Sequence, residues 1–215
     1  MQIREELRGP GLGMKATVLG CAAAIIALLG FAATAQALTK FGSDLHNKDG
    51  SVVQANGARN CQQDANPLDA TKPCDRVAVQ FLDTGSPGGN IKAPKDGVIK
   101  RLNLVALNKG HFRFELARVK KFHGDNGKAK LVDRGDKISY KADPSHIQTF
   151  HVHQKVDKGD YLAIKAKKTS LMRCQSGSTE QLLYQPVLGL KDPFTNNLGH
   201  RSNCTLLLRA VYKKS

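Results

Sequence analysis

The sequence predicts an all-β protein, an antiparallel β-sandwich with jelly-roll-like topology, on the basis of three observations. Apolar and polar residues alternate with a period of two in several segments, most clearly in 112–116, and this period is typical of half-buried strands. Turn-forming sequences such as Gly-Asp-Asn-Gly at 124–127 separate the segments at short intervals. After residue 37 no segment shows a sustained apolar period of 3.6 residues, which excludes a core of amphipathic helices.

The N-terminal segment 1–37 is predicted to be a cleaved signal peptide that forms a helix. An uncharged apolar run from Ala16 to Phe31 follows a lysine, and a small-residue site, Ala-Gln-Ala, ends at Ala37. A basic start, an apolar stretch and a small-x-small site are the three parts of a secretory signal. Met14 is the expected natural start. The segment predicts a secreted or cell-envelope protein that contacts the membrane only through its signal segment.

Two other interpretations of this segment remain open. A retained membrane anchor would have a similar length, because roughly 20 apolar residues span a bilayer, although the Ala-Gln-Ala site favours cleavage. The sequence Val-Leu-Gly-Cys at 18–21 is similar to a lipoprotein signal. The apolar run continues beyond Cys21, however, whereas a lipid-modified cysteine normally ends such a run.

Residues 38–73 are predicted to be an irregular lead-in to the domain. The segment has few apolar residues and many turn formers, among them Lys-Asp-Gly at 48–50 and Asn-Gly at 56–57. One short strand is expected near 52–54. The compact β-sandwich domain is accordingly predicted over residues 74–215.

The strands of this domain are predicted from alternation and from the turns between them. The clearest unit is 147–166, where two apolar segments flank Asp-Lys-Gly-Asp at 157–160, a pattern typical of a β-hairpin. Many short strands at close spacing indicate a sandwich or a barrel. The other expected strands lie near residues 77–81, 98–104, 112–118, 129–132, 137–140, 182–184 and 205–212.

Four cysteines follow residue 37, and their even number in an exported chain predicts two disulfides. They are Cys61, Cys74, Cys174 and Cys204. Sequence proximity favours the pairs Cys61–Cys74 and Cys174–Cys204, while the count alone allows three connectivities. A zinc site is the alternative, but it is disfavoured because the sequence has no Cys-x-x-Cys pair.

Several short motifs occur together within residues 74–211. Pro-Lys-Asp-Gly-Val lies at 94–98, Val-Asp-Lys-Gly-Asp at 156–160 and Leu-Leu-Tyr-Gln-Pro at 182–186. With these motifs the chain resembles small exported β-sandwich proteins of actinobacteria, a group without an assigned biochemical function. The resemblance implies export and a β-sandwich fold, and it implies no catalytic residue.

The chain is strongly basic, with 33 lysines and arginines, 18 aspartates and glutamates, and a formal net charge of +15. This balance favours an anionic cell-envelope polymer or another polyanion as a partner, although a charged surface also serves solubility alone. Tryptophan is absent and aromatic residues make up only 6%, which disfavours stacking-based recognition of sugars or of single-stranded nucleic acid, and no stable nucleic-acid role is expected. The candidate contacts are lysines expected near strand ends: Lys120, Lys121, Lys165, Lys167 and Lys168.

A His-x-His pair at His151 and His153 is the best candidate for chemistry. Residues i and i+2 of a strand face the same way, about 7 Å apart. Joined by His146 or Asp157, these imidazoles would present ligands to a divalent metal. The alternative is a pair of exposed histidines on the solvent face of a strand, and it is favoured because no glutamate follows the pair before Glu180.

Other catalytic chemistry finds no support in the sequence. A Gly-x-Ser-x-Gly nucleophile motif is absent, and only Glu115 and Glu180 remain as glutamates after residue 37. Three hypotheses stand: a non-catalytic secreted β-sandwich that binds an anionic polymer, a metal-dependent enzyme centred on the histidines, and a structural or assembly module. The sequence indicates neither the ligand nor the oligomeric state.

Overall fold

Strands form most of the part of the chain that the structure describes, and the all-β prediction is confirmed there. The structure, a computed structural model, describes residues 38–62, 68–79, 90–123, 126–174, 181–196 and 204–215. The predicted signal peptide 1–37 lies outside these residues. Within the described ranges there is no helix with the length and apolar character needed to cross a membrane.

Thirteen strands run through the described ranges. The three longest follow one another along the chain, between Gly110 and Val156. In chain order the strands are β1 (Thr39–Gly42), β2 (Gly57–Asn60), β3 (Cys74–Ala78), β4 (Gly97–Ala106), β5 (Gly110–His123), β6 (Asn126–Tyr140), β7 (Asp143–Val156), β8 (Tyr161–Ala166), β9 (Lys168–Cys174), β10 (Gln181–Tyr184), β11 (Thr195–Asn196), β12 (Cys204–Leu206) and β13 (Leu208–Lys214).

These strands form three antiparallel sheets. Sheet A has the order β1-β13-β4-β7, sheet B has the order β10-β3-β8-β5-β6-β11, and sheet C has the order β12-β9-β2. Side chains from all three sheets pack into one hydrophobic core. Phe41 and Leu102 enter it from sheet A, Phe114 and Ile164 from sheet B, and Leu206 from sheet C. Burial of this shared apolar surface is the main force that holds the sheets together.

A second, smaller apolar cluster lies on the opposite face of sheet B. Ala117 of β5 and Ala163 of β8 belong to it, whereas their neighbours Leu116 and Leu162 point into the main core, as alternation along a strand requires. Leu188, from the segment between β10 and β11, covers this cluster. Sheet B is therefore buried on both faces over part of its area.

The prediction of an irregular lead-in over 38–73 is wrong. Strand β1 pairs with β13 and β2 pairs with β9, and the side chains of Phe41, Leu45 and Val53 are buried. The domain therefore includes this segment and does not begin at Cys74. Strands β1 and β2 have only four residues each and pair with strands far along the chain. Local composition therefore does not predict them.

The predicted hairpin 147–166 is also wrong, because its two strands belong to different sheets. Strand β7 pairs with β4 in sheet A, and β8 pairs with β3 and β5 in sheet B. The turn between them is fixed to sheet B: the buried Asp160 accepts two hydrogen bonds from the Arg118 guanidinium, at 2.6 and 2.9 Å. Gly159 has a φ of 90°, which glycine adopts without strain. A turn sequence alone does not specify whether the chain returns to the same sheet.

The two disulfides join the cysteine pairs that sequence proximity favours. Cys61 is bonded to Cys74, and Cys174 is bonded to Cys204. The first closes the segment that leads into β3, and the second links the paired strands β9 and β12. Intramolecular disulfides are typical of proteins that fold in an oxidising compartment.

Candidate anion-binding site

A cavity of about 780 Å³ opens where strands β5, β6, β8 and β9 meet. It includes three of the five lysines predicted from the sequence. Neither aspartate nor glutamate is present among the described residues that line it. The basic residues that line it are Lys109, Arg113, Lys137, Lys165, Lys167 and Lys168. We call this feature the basic cavity.

Three of these cations form a row across neighbouring strands of sheet B. Arg113 of β5 is the register partner of Lys165 in β8 on one side and of Lys137 in β6 on the other. Directly opposed residues of antiparallel strands point to the same face with Cβ atoms about 5 Å apart. The row therefore brings three positive charges within about 10 Å, and like charges in this position repel one another.

The six cations of the basic cavity form no salt bridge within the described part of the chain. Arg113 instead donates a hydrogen bond from Nη1 to the carbonyl of Gly135, at 3.3 Å. Lys109, Lys167 and Lys168 are exposed at the rim, and Lys165 is half-buried. Lys165 lies close enough to Asp75, its register partner, and to Glu115 for its charge to lower the pKa values of both carboxyl groups. The other five cations form no salt bridge with a described acid, so most of the positive charge in this concave site is uncompensated.

The side of the basic cavity nearest the core is neutral and held by hydrogen bonds. Ser170 Oγ donates to the Asn108 carbonyl at 2.6 Å and lies 3.3 Å from Tyr140 Oη. The Tyr140 ring contacts Phe112 in the core, with 5.9 Å between ring centroids. Gly110 allows this packing, because a Cβ there would lie 2.4 Å from Tyr140 Oη. Tyr140 is consequently only 5% exposed, and its ring offers no stacking face to a ligand.

The opposite wall of the basic cavity comes from β2 and the segment around the Cys61–Cys74 disulfide. The Cys61 N–H donates to the Lys167 carbonyl at 3.1 Å. The buried Arg76 guanidinium donates to the Asn60 carbonyl at 2.6 Å. These bonds fix the wall to the bend between β8 and β9, so the rim lysines lie on an anchored backbone.

A buried carboxyl pair lies on strands β3 and β5 of sheet B, next to the basic cavity. Asp75 of β3 and Glu115 of β5 are both fully inaccessible, and they lie close enough for each carboxyl group to shift the pKa of the other. Glu115 also accepts a hydrogen bond from Arg134 Nε at 2.8 Å. Leu188 completes the group, because its N–H donates to Asp75 and its carbonyl accepts from Arg134. The pair thereby attaches the segment between β10 and β11 to sheet B.

Burial raises the pKa of both carboxyl groups of this pair. For Asp75, loss of hydration is the largest cause, and the charge of Glu115 adds to it. For Glu115, loss of hydration raises the pKa, while hydrogen bonds from Asp75 and Arg134 oppose the rise. Asp75 Oδ1 and Glu115 Oε2 have no other hydrogen-bonding partner. One proton held by Asp75 and donated to an ionised Glu115 satisfies both oxygens.

The lysines predicted from the sequence do not form one platform. Lys165, Lys167 and Lys168 line the basic cavity, but the Lys120 ammonium lies 3.7 Å from the ring centroid of Phe194, beside a different and smaller cavity of about 380 Å³. The side chain of Lys121 lies outside the described residues. A cation over an aromatic face is partly compensated, so Lys120 differs from the lysines of the basic cavity.

The predicted metal ligands do not converge. His151 and His153 are exposed on β7, and His153 Nδ1 lies 3.2 Å from the ammonium of Lys100. His146 is bonded instead to Asp143, with 2.8 Å between Nδ1 and Oδ1. The described residues contain no group of three or more His, Cys, Asp or Glu side chains placed to hold a metal ion. His146 lies where the β4–β7 ladder shifts register, between the pairs Leu104–Gln148 and Ala106–Asp143, so it is not aligned with His151 and His153.

Sequence reasoning missed Arg113, Lys137 and Lys109. Alternation in 112–116 does place Arg113 on the face away from the Phe112 and Phe114 rings, which is the available signal. Which residues of β6 and β8 lie beside it depends on strand register, and the β5–β6 ladder shifts register between residues 113 and 115. That shift has no recognisable sequence pattern.

Comparison with known proteins does not identify the chain. No protein-family profile, characterised protein or solved structure matches it at a significant level. The functional conclusion therefore depends on the geometry of the basic cavity.

Proposed function

We propose that this protein is a secreted or cell-envelope β-sandwich that binds an anionic polymer and catalyses no reaction. The observation that carries the proposal is the basic cavity, where six cations surround a concave space that no described carboxylate enters. Like charges placed directly opposite each other on neighbouring strands repel one another, and a bound anion would remove that repulsion. Here the compensating charge is assigned to a partner outside the chain.

The fold and the cysteines support the remaining parts of the proposal. A hydrophobic core packed between antiparallel sheets supports a sandwich fold. Two disulfides and the signal-like segment 1–37 favour export. A relationship to the small exported β-sandwich proteins of actinobacteria belongs to the same proposal, and the cell envelope supplies anionic polymers.

The energetics favour a polymer held by several weak charge contacts. An exposed ion pair contributes about 1 kcal/mol or less, so no single lysine would retain a ligand. Three cations within about 10 Å act on one anionic group together, because the Debye length is about 8 Å at physiological ionic strength. Binding should therefore weaken steeply as salt rises.

The test is retention of the purified, oxidised protein on heparin-agarose, with uncharged agarose as the blank. We expect retention that sodium chloride reverses. The triple variant Arg113→Gln/Lys137→Gln/Lys165→Gln should elute at clearly lower salt than the wild type. Its matched control is Lys40→Gln/Lys155→Gln/Lys214→Gln, which removes the same charge from exposed positions outside the basic cavity.

Equal elution of the two triple variants would show that only net charge matters, and the basic cavity would not be the binding site. Should the cavity variant fail to fold, Lys167→Gln/Lys168→Gln changes two exposed rim residues and tests the same claim. Its matched control is Lys40→Gln/Lys214→Gln.

A further inference from the structure

We infer that the basic cavity holds one or two sugar units that bear a sulfate or phosphate ester, so that the anionic polymer is a glycan recognised at a discrete site. This inference rests on the proposed function and names the ligand class for the same cavity. It follows from the volume of the cavity, the geometry of its cations and the character of its neutral lining.

The volume sets the size of the recognised unit. Small-molecule sites in proteins are typically about 300–1,000 Å³, and the basic cavity, at about 780 Å³, lies in that range. Its base and opposite wall are fixed by the hydrogen bonds of Ser170 and Cys61. A fixed, concave space of this size holds a short segment of a chain, whereas a flat sheet face would hold an extended one.

The row of cations fits a tetrahedral oxyanion. The Arg113 guanidinium is planar and binds two oxygens of one group at once, while an ammonium acts as a point charge. Lys165 and Lys137 flank Arg113 on the two neighbouring strands. A sulfate or phosphate ester presents three terminal oxygens, enough for the guanidinium and both ammonium groups, whereas a carboxylate presents only two.

The rim extends this charge beyond the first anionic group. Lys109, Lys167 and Lys168 line the same cavity and are exposed. They lie outside the row formed by Lys165, Arg113 and Lys137. A second charged group, one sugar unit away from the first, would be held by these rim lysines, so a disaccharide with several sulfates should bind more tightly than a singly charged sugar.

The neutral lining favours a sugar over a nucleotide. Ala58, Ala70 and Pro73 supply small apolar surfaces, and Asn60 and Asn108 supply polar groups, a mixture that suits the C–H and hydroxyl groups of a sugar ring. A nucleobase needs an aromatic face to stack on. Among the described lining residues Tyr140 is buried against the core, which leaves the small, exposed imidazole of His111 as the accessible ring.

The experiment is calorimetric titration of the wild type in 0.15 M sodium chloride, where the Debye length is about 8 Å. The probes are a trisulfated heparin disaccharide, its desulfated form, N-acetylglucosamine 6-phosphate, inorganic sulfate and adenosine monophosphate. We expect one saturable site for the sulfated disaccharide, the sugar phosphate or both, with the tighter of the two identifying the ester. The desulfated disaccharide and inorganic sulfate should bind at least about tenfold more weakly.

The variant Arg113→Gln should weaken binding of the charged sugar about tenfold or more, as expected for loss of charge-assisted hydrogen bonds. Its matched control, Lys40→Gln, should stay within about twofold of the wild type. Lys137→Gln supplies a second variant of the row should Arg113→Gln fail to fold.

The outcomes separate this inference from the proposed function. Heparin retention that depends on the cavity, with no saturable binding of any charged sugar, overturns the inference and leaves the proposed function standing. Binding of adenosine monophosphate or inorganic sulfate as tight as that of the charged sugar also overturns it, because the anion alone would then be recognised. Heparin retention that is independent of the cavity overturns both.

Discussion

Two neighbouring regions of sheet B treat charge in opposite ways. Glu115 and Arg113 lie two residues apart on one face of β5, yet Glu115 is fully buried beside Asp75 and paired with Arg134. Arg113 is exposed in a cavity lined by five further cations and no described carboxylate. Where the segment between β10 and β11 covers sheet B, the charge of Glu115 is paired with Arg134 within the protein. Where the sheet opens into the basic cavity, the charge is left for a partner.

The largest expected effect comes from breaking the buried pair. Arg134→Met leaves Glu115 ionised without its partner and should lower the free energy of unfolding by about 3 kcal/mol or more, since an uncompensated buried charge is costly. Arg113→Met, the matched change on the exposed side, should alter it by only about 0.5 kcal/mol. Urea unfolding at pH 7 measures both, and equal losses would contradict the contrast between the two regions.

The next effect concerns pH. The folded protein holds a proton on Asp75 at pH values where the unfolded chain has released it, because burial raises the pKa of this group. Stability from this group is therefore present at low pH and is lost as pH rises above the ordinary pKa of an aspartate, with a slope of at most about 1.4 kcal/mol per pH unit.

Asp75→Asn keeps an acceptor for the Leu188 N–H and cannot ionise. Unfolding measured from pH 5 to pH 9 should show a smaller decline for this variant than for the wild type. Parallel curves for the two proteins would mean that Asp75 carries no extra proton in the folded state.

A smaller effect of opposite sign is expected in the basic cavity. Arg113→Gln/Lys137→Gln removes two like charges that lie directly opposite each other and should raise the free energy of unfolding by about 0.5 kcal/mol in low salt. The matched control Lys40→Gln/Lys214→Gln should change it less. Destabilisation by the cavity variant would show that the row is compensated within the chain.

The smallest expected effect is the salt dependence of this stability difference. Sodium chloride screens exposed charges, with a Debye length of about 3 Å at 1 M. In low salt, about 0.02 M, the wild type and Arg113→Gln/Lys137→Gln should differ in free energy of unfolding by about 0.5 kcal/mol. This difference should disappear as the salt concentration is raised to 1 M, because the Debye length then falls below the distance between the charges. A difference that persists in high salt would reflect altered packing.

The sequence is informative about strands and much less so about their neighbours. Alternation in 112–116 predicts both a strand and its buried face, and proximity predicts the partners of Cys61 and Cys174. The sheet to which a strand belongs is fixed by long-range packing, so alternation places β7 and β8 in one hairpin although they lie in different sheets.

The candidate site shows the same division between local and long-range information. Charge composition points to Lys165, Lys167 and Lys168, which do line one cavity. Arg113 and Lys137 join them only through the register of the β5–β6 and β5–β8 ladders. The buried pair of Asp75 and Glu115 depends on the pairing of β3 and β5 with β8, which local sequence does not encode.

The central place of β13 in sheet A constrains when this protein can fold. Phe41 of β1 is opposed by Ala210, and Leu104 of β4 by Leu208, so the N-terminal strand and the rest of the sheet meet only across the last strand. A chain synthesised or threaded through a channel from its N-terminus cannot close this sheet until residues 208–214 have emerged. Strand order itself therefore delays closure of sheet A until the strand that joins β1 to β4 is available.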